Sequence, residues 1–126
     1  MKGVIISVCI AVCIVAGSVV YTNHMGRVSE ELGEINDEIM ECLDREDYSA
    51  AGENIKKLTE YLDENRTVLA ATGSHEELDN IEMNVSELAG YIEGEEQTDA
   101  QSRCKVLSFL FEHLPKNYEM KLENIL

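Results

Sequence analysis

Apolar positions divide the chain into one unbroken hydrophobic run followed by stretches with helical spacing. The run extends from Gly3 to Tyr21 and contains no charged residue. From Arg27 onward, apolar residues recur at alternating steps of three and four, the spacing that gives a helix one hydrophobic face. The pattern therefore predicts one apolar helix and then several amphipathic helices that pack against one another.

The first two amphipathic stretches form a predicted helical hairpin. The first is expected to end near Arg45. The second begins after Asp47, whose carboxylate can cap the helix by accepting a hydrogen bond from a free backbone N–H. It ends near residues 63–65 or runs on to Leu69, before a break at Thr72-Gly73. The two apolar faces consist of Val28, Leu32, Ile35, Ile39 and Cys42, and of Ala51, Ile55, Leu58 and Leu62.

A second predicted hairpin follows. Ser74 and Glu77 have the spacing of a capping box, in which each side chain bonds the other residue's backbone N–H, so a third helix is predicted to start there. A fourth is expected to begin with Thr98 or Asp99 as its cap and to end at Pro115, which cannot continue a helical hydrogen-bond pattern. The faces are Leu78, Ile81, Val85, Leu88 and Ile92, and Ala100, Cys104, Leu107, Leu110, Phe111 and Leu114.

The two hairpins resemble each other in sequence. A shift of 46 positions aligns the apolar residues of the first helix with those of the third, and a shift of 49 aligns the second with the fourth, with the difference assigned to a longer second turn. Duplication explains this similarity, and so does any pair of amphipathic hairpins. The apolar C-terminal residues are expected to dock on the helices; they are Leu122, Ile125 and Leu126.

These elements predict an all-α protein with an N-terminal transmembrane helix in residues 1–24 and an antiparallel four-helix bundle, made of two hairpins, in residues 25–126. Nineteen residues of helix span roughly 28 Å, enough to cross the hydrocarbon core of a bilayer. Cleavage after Ala16-Gly17-Ser18 as a signal peptide and lipid modification of Cys13 are the alternatives. Lys2 favours a cytoplasmic N-terminus and thus an extracytoplasmic domain in the cell membrane.

Charge excludes some partners. Residues 25–126 carry nine Lys and Arg against 25 Asp and Glu, a net charge of −16. Such a surface repels phosphate backbones, so no nucleic-acid partner is expected. None of the common nucleotide-binding, metalloprotease or serine-hydrolase motifs occurs, and no cofactor is expected. Cysteine spacing suits no structural zinc site, and Cys42 and Cys104 could pair only if the fold brings them together.

The segment SHEELDNIE, residues 74–82, contains the main candidate for a metal site. His75, Asp79 and Glu82 share one face of the predicted helix, and His113 approaches His75 if the fourth helix ends beside Ser74. The set of His75, Glu76, Asp79 and His113 could bind a divalent cation through one or two imidazoles and several carboxylates. The capping pattern favours a simple helix start instead.

Several segments resemble a family of small, mostly clostridial bacterial proteins known as a domain of unknown function. They are HEELDNIE, the following L..YI, the HLP at 113–115, the terminal LENIL and the helix restart at Asp47-Tyr48. The resemblance covers essentially the full chain and implies a membrane-anchored helical protein, without implying an activity. We therefore expect a non-enzymatic, protein-binding or scaffold module at the cell envelope, with a cation-binding or sensing domain as the alternative.

Overall fold

The computed structural model describes residues 1–72 and 75–125, with side chains for all of these except Thr72 and residues 115–125. All regular secondary structure in that part of the chain is helical. The helices are α1 (Lys2–Asp44), α2 (Tyr48–Glu64), α3 (Arg66–Thr72), α4 (His75–Glu93) and α5 (Gln97–Ile125). The all-α prediction is confirmed.

Helix α1 joins the apolar run and the first amphipathic stretch in 43 continuous residues. An 18-residue window near its N-terminus is long and apolar enough to cross a membrane, and none of that window is buried against other residues. The buried residues of α1 begin only at Met25. The N-terminal half of α1 therefore projects beyond the packed helices, as a membrane anchor or a signal sequence would.

Most helix ends lie close to their predicted positions. The carboxylate of Asp47 caps α2 by accepting a hydrogen bond from the Ala50 N–H at 3.1 Å, as predicted. Residues after Glu64 form the separate short helix α3 rather than a continuation of α2. Helix α4 begins at His75, but Ser74 lies outside the described residues, so its capping bond stays a prediction. The predicted docking of the C-terminal side chains also lies outside them.

Helix α5 differs from its prediction at both ends. It begins at Gln97, so Thr98 and Asp99 lie in its first turn and do not precede it as caps. It also continues through Pro115 to Ile125, so the prediction that Pro115 ends the helix is wrong. Proline has no N–H to donate to the carbonyl four residues earlier, which here belongs to Phe111.

A neighbouring helix supplies the hydrogen bond that Pro115 cannot make. The hydroxyl of Ser29, a buried residue of α1, donates to the Phe111 carbonyl. One heptad along, the Asn36 side-chain amide donates to the Cys104 carbonyl at 2.8 Å. From the first bond to the second, the donor moves seven residues forward along α1 and the acceptor moves seven residues back along α5. Helices α1 and α5 are therefore antiparallel, with two buried hydrogen bonds in register.

The hydrophobic core lies among the four long helices. Helix α1 packs against α2 and α5, and α4 packs against the same two; the α1–α5 interface is the most extensive of these four and the α2–α4 interface the least. The predicted apolar faces are buried, and Leu110 is half-buried against them. Cys42 and Cys104 are both buried and unpaired, so the chain carries no disulfide between them.

A single shift of 49 residues aligns both helices of the first hairpin with those of the second. This corrects the predicted shift of 46 residues between the first and third helices. Both turns have one residue in the left-handed region, Glu46 at φ 56° and Glu95 at φ 54°. Both also close with the same 2.9 Å backbone bond, which defines the Schellman motif. The bonds run from Asp47 N to Cys42 O and from Glu96 N to Tyr91 O.

The same offset pairs every buried residue of α4 with a buried residue of α1. The α4 set is Leu78, Ile81, Asn84, Val85, Leu88 and Ile92, and the α1 set is Ser29, Leu32, Ile35, Asn36, Ile39 and Leu43. The turns are thus of equal length. The interface of α1 with α5 and that of α4 with α2 are equivalent positions of one repeated hairpin.

Candidate functional site

An open groove lies between α2 and α4, on the less extensively packed of the two equivalent interfaces. Its volume is about 760 Å³, and its floor is mainly apolar. One wall is α2 from its first residue through somewhat more than three turns, and the other is the C-terminal part of α4 with the turn that follows. The lining residues are Tyr48, Ser49, Gly52, Ile55, Lys56, Thr59, Glu60, Ala89, Ile92, Glu93 and Glu95.

The repeat explains why this groove is open. Gly52 corresponds to Gln101 at the offset of 49, and Ala89 corresponds to Met40. Met40 packs against the core from α1. The Gln101 amide donates to a carboxylate oxygen of Asp44 at 2.8 Å and so bridges α5 to α1. A glycine and an alanine at the equivalent places leave that volume without side-chain atoms.

Further side-chain bonds close the α1–α5 interface, and the residues at the equivalent positions of α2 and α4 differ. The Gln97 amide donates to the Leu43 carbonyl at 2.8 Å, which also accepts a bond from the Glu46 N–H at 3.0 Å, and so links α5 to the end of α1. The residue equivalent to Gln97 is Tyr48, which lines the groove instead. The buried donors Ser29 and Asn36 correspond to Leu78 and Val85, neither of which has a polar side-chain group to donate.

The rim of the groove is predominantly acidic. Glu60, Glu93 and Glu95 stand against one lysine, Lys56. Burial raises the pKa of the Tyr48 phenol, and the carboxylates of Glu46 and Glu95 raise it further, so this side chain is a neutral hydroxyl at physiological pH. The site thus combines an apolar floor, one aromatic ring and a negatively charged edge.

The residues of the predicted cation site lie elsewhere, on the surface. His75, Glu76 and Asp79 are exposed in the first turns of α4. The His113 ring on α5 stacks on Phe109 with centroids 4.0 Å apart, and its Nδ1 lies 2.9 Å from the Phe109 carbonyl oxygen. Within residues 1–72 and 75–125, no three His, Cys, Asp or Glu side chains are arranged to hold a metal ion. The cation-binding hypothesis stays a prediction.

The groove was not predicted from the sequence, although one signal for it is present. Small residues at Gly52 and Ala89 contrast with Gln101 and Met40 only when both hairpins are aligned at 49. The predicted shift of 46 residues between the first and third helices aligns Ala89 with Leu43 instead of Met40. The difference in side-chain size is then placed at the wrong position.

Comparison with known proteins assigns the chain to a family without assigning it an activity. Residues 19–125 match the model of a family described as a domain of unknown function, DUF4363. No curated protein and no solved structure matches the chain. The match begins inside the apolar run and includes all five helices or parts of them, so the groove lies wholly within the matched residues.

Proposed function

The chain belongs to the DUF4363 family, and we propose from its own geometry that it is a non-enzymatic, membrane-anchored module that binds a helix of a partner protein in the α2–α4 groove. The observation that carries this proposal is the contrast between two equivalent interfaces. At one, the Gln101 amide bridges α5 to Asp44 of α1, and Met40 packs against the core. The other has only Gly52 and Ala89 at these positions and is open.

The proposal includes the arrangement of the domain. An antiparallel four-helix bundle fits the four interfaces among α1, α2, α4 and α5, and it fits the antiparallel register of α1 and α5. Retention of the apolar part of α1 as a single-pass anchor, with the acidic domain outside the cell membrane, fits its length and the single lysine at its N-terminal end.

The occupant that fits the groove is an amphipathic helix with basic flanks. Between Tyr48 and Glu60 the α2 wall is about 18 Å long, or somewhat more than three turns. A helix of that length presents apolar side chains at i, i+3 or i+4, and i+7, which is the usual pattern of helix-in-groove recognition. These side chains would occupy the volume that Met40 and Gln101 fill at the equivalent interface.

Charge distinguishes a basic partner from a second copy of this chain. The rim carries Glu60, Glu93 and Glu95, and the domain has a net charge of −16 from residue 25 onward. Two such domains repel each other, whereas lysines or arginines flanking the apolar ridge of a partner helix are attracted to the rim. The attraction should weaken as salt increases.

Photo-crosslinking in membranes of the producing cell tests the proposal. A photoreactive amino acid is placed at Ser49 in the groove and, as the matched control, at Thr98, which is equivalent to Ser49 on the closed side. We expect a protein adduct from Ser49 alone, mapped to an amphipathic segment with a net positive charge. An adduct between two copies of this chain, or equal adducts from both positions, would contradict the proposal.

Filling the groove separates loss of binding from loss of folding. Gly52→Gln and Ala89→Met introduce the residues of the closed interface. An added Cβ at Gly52 meets no atom within 4 Å. Because glycine inside a helix is destabilising by about 0.5–1 kcal/mol, Gly52→Gln should raise the free energy of unfolding while abolishing the Ser49 adduct. Gly33→Gln on α1, also without close neighbours, is the control that should keep the adduct.

A further inference from the structure

The short helix α3 is joined to the end of the apolar segment by a hydrogen bond. The Tyr21 hydroxyl donates to the Val68 carbonyl at 2.8 Å, across 47 positions of sequence. Tyr21 is the last residue of the hydrophobic run that starts at Gly3. The same bond therefore connects α3 to the position where a bilayer-spanning helix leaves the hydrocarbon core, a depth that tyrosine favours.

The direction of the Tyr21 side chain sets the level of α3. Side chains on an α-helix tilt toward its N-terminus. The Tyr21 ring thus points from its own Cα toward the apolar part of α1, and its hydroxyl lies on that side. Since the Val68 carbonyl accepts from this hydroxyl, α3 lies beside the last turn of the apolar segment and not above it.

The composition of α3 fits the head-group layer of a membrane. Residues 67–75 contain no Asp, Glu, Lys or Arg, and this is the longest such run after Arg27. Leu69 is buried in the core, while Thr67 and Ala71 are exposed. Arg66, the first residue of α3, pairs with Glu82 of α4 at 3.1 Å and so ties the short helix to the domain. Beyond Arg66, the exposed positions of α3 therefore carry no charged side chain.

We propose that α3 is a second membrane contact, seated with Thr67 and Ala71 in the head-group layer of the lipid surface into which α1 inserts. The anchor keeps α3 at the surface, so even a weak contact is populated at the high effective concentration of a tethered group. Two attachments, one through α1 and one through α3, fix the tilt of the domain. The groove at the far end of α2 then faces away from the lipid.

A single tryptophan tests this contact, because the chain has none of its own. Full-length Ala71→Trp is reconstituted in phosphatidylcholine vesicles, with and without brominated acyl chains. Ser102→Trp, at an exposed position of α5, is the matched control. We expect blue-shifted emission and strong quenching by brominated lipid for Ala71→Trp, and neither for Ser102→Trp.

The outcomes separate this inference from the anchor on which it rests. A chain that floats with the vesicles but shows equal, weak quenching for both tryptophans overturns the α3 contact alone. A chain that does not float overturns the anchor and the contact together. Tyr21→Phe in the Ala71→Trp background removes the donor but keeps the ring. Quenching should fall, and unchanged quenching would show that the added tryptophan inserts by itself, against the proposal.

Discussion

At the residue scale, Ser29 and Pro115 compensate for each other across the α1–α5 interface. The Pro115 nitrogen cannot donate to the Phe111 carbonyl, and the buried Ser29 hydroxyl donates to it instead. Asn36 adds a second buried bond, but its Oδ1 is buried without a hydrogen-bond partner. Such a polar atom lowers stability, so Asn36 contributes more to the register of the two helices than to the free energy of folding.

A double-mutant cycle checks the relation between Ser29 and Pro115. Ser29→Ala should lower the free energy of unfolding by about 1–3 kcal/mol, because it leaves the Phe111 carbonyl without that donor. In a Pro115→Ala background the alanine N–H can bond the same carbonyl, so the loss should be much smaller. Denaturant unfolding of the four proteins measures the coupling. Equal losses in both backgrounds would mean that the two residues act independently.

Cys104 provides a second test at this scale, through pH. Burial, with the nearby carboxylates of Asp37 and Asp44, raises the pKa of its thiol from 9.0 to about 12. Above pH 9 the unfolded chain loses this proton while the folded chain keeps it. Stability from Cys104 is thus complete below pH 9 and declines between pH 9 and 12.

The measurement is denaturant unfolding of wild type and Cys104→Ala at pH 8 and pH 10.5. Tyrosines and lysines also titrate in this range, so the comparison between the two proteins matters more than either slope. Stability of the wild type should fall more steeply with pH than that of the variant. Parallel declines would show that the Cys104 thiol is not protected from ionisation in the folded chain.

At the element scale, the two hairpin turns share a strained residue. Glu46 and Glu95 have positive φ, although an L-residue with a side chain adopts this region only at some expense of free energy. Glycine is the usual residue at this place in a Schellman motif. In the second turn the glycine is Gly94, one residue earlier than the strained position. The fold therefore imposes the turn geometry on both sequences.

Glu46→Gly should accordingly stabilise the protein by about 1 kcal/mol, since it removes the left-handed strain. Glu38→Gly, at an exposed position inside α1, is the matched control and should destabilise by about 0.5–1 kcal/mol. Thermal or denaturant unfolding of both variants measures whether each substitution raises or lowers the free energy of unfolding. Destabilisation by Glu46→Gly would indicate that the glutamate side chain contributes contacts that outweigh its backbone strain.

At the scale of the whole molecule, the repeat creates two equivalent interfaces, α1–α5 and α2–α4. They have different side chains at equivalent positions. One is closed by Met40, Gln97, Gln101 and the two buried donors of α1, so it holds the hairpins together. The α2–α4 interface lacks these side chains and stays open at Gly52 and Ala89. From Tyr21 to Asp44, α1 extends about 35 Å, so the end of the groove at Tyr48 lies well away from the apolar run.

The all-helical class and most of the helices were predictable from the amino-acid sequence alone. Apolar spacing and local capping depend on neighbours within a few residues. The apolar faces of α1, α2, α4 and α5 and the cap at Asp47 were therefore predicted from the sequence alone. The family was also recognisable from short segments. The cation-site residues were identified by type and spacing, but spacing on one helix does not establish a partner from another.

Other features depend on contacts between residues far apart in the chain, so they became visible only in the folded protein. Pro115 stays helical because a hydroxyl 86 positions earlier in the chain bonds the carbonyl that proline leaves free. The offset of 49 became clear because the same backbone bonds close both turns. The groove exists because two small residues on different helices face each other, and no local pattern specifies which side chains will meet across an interface.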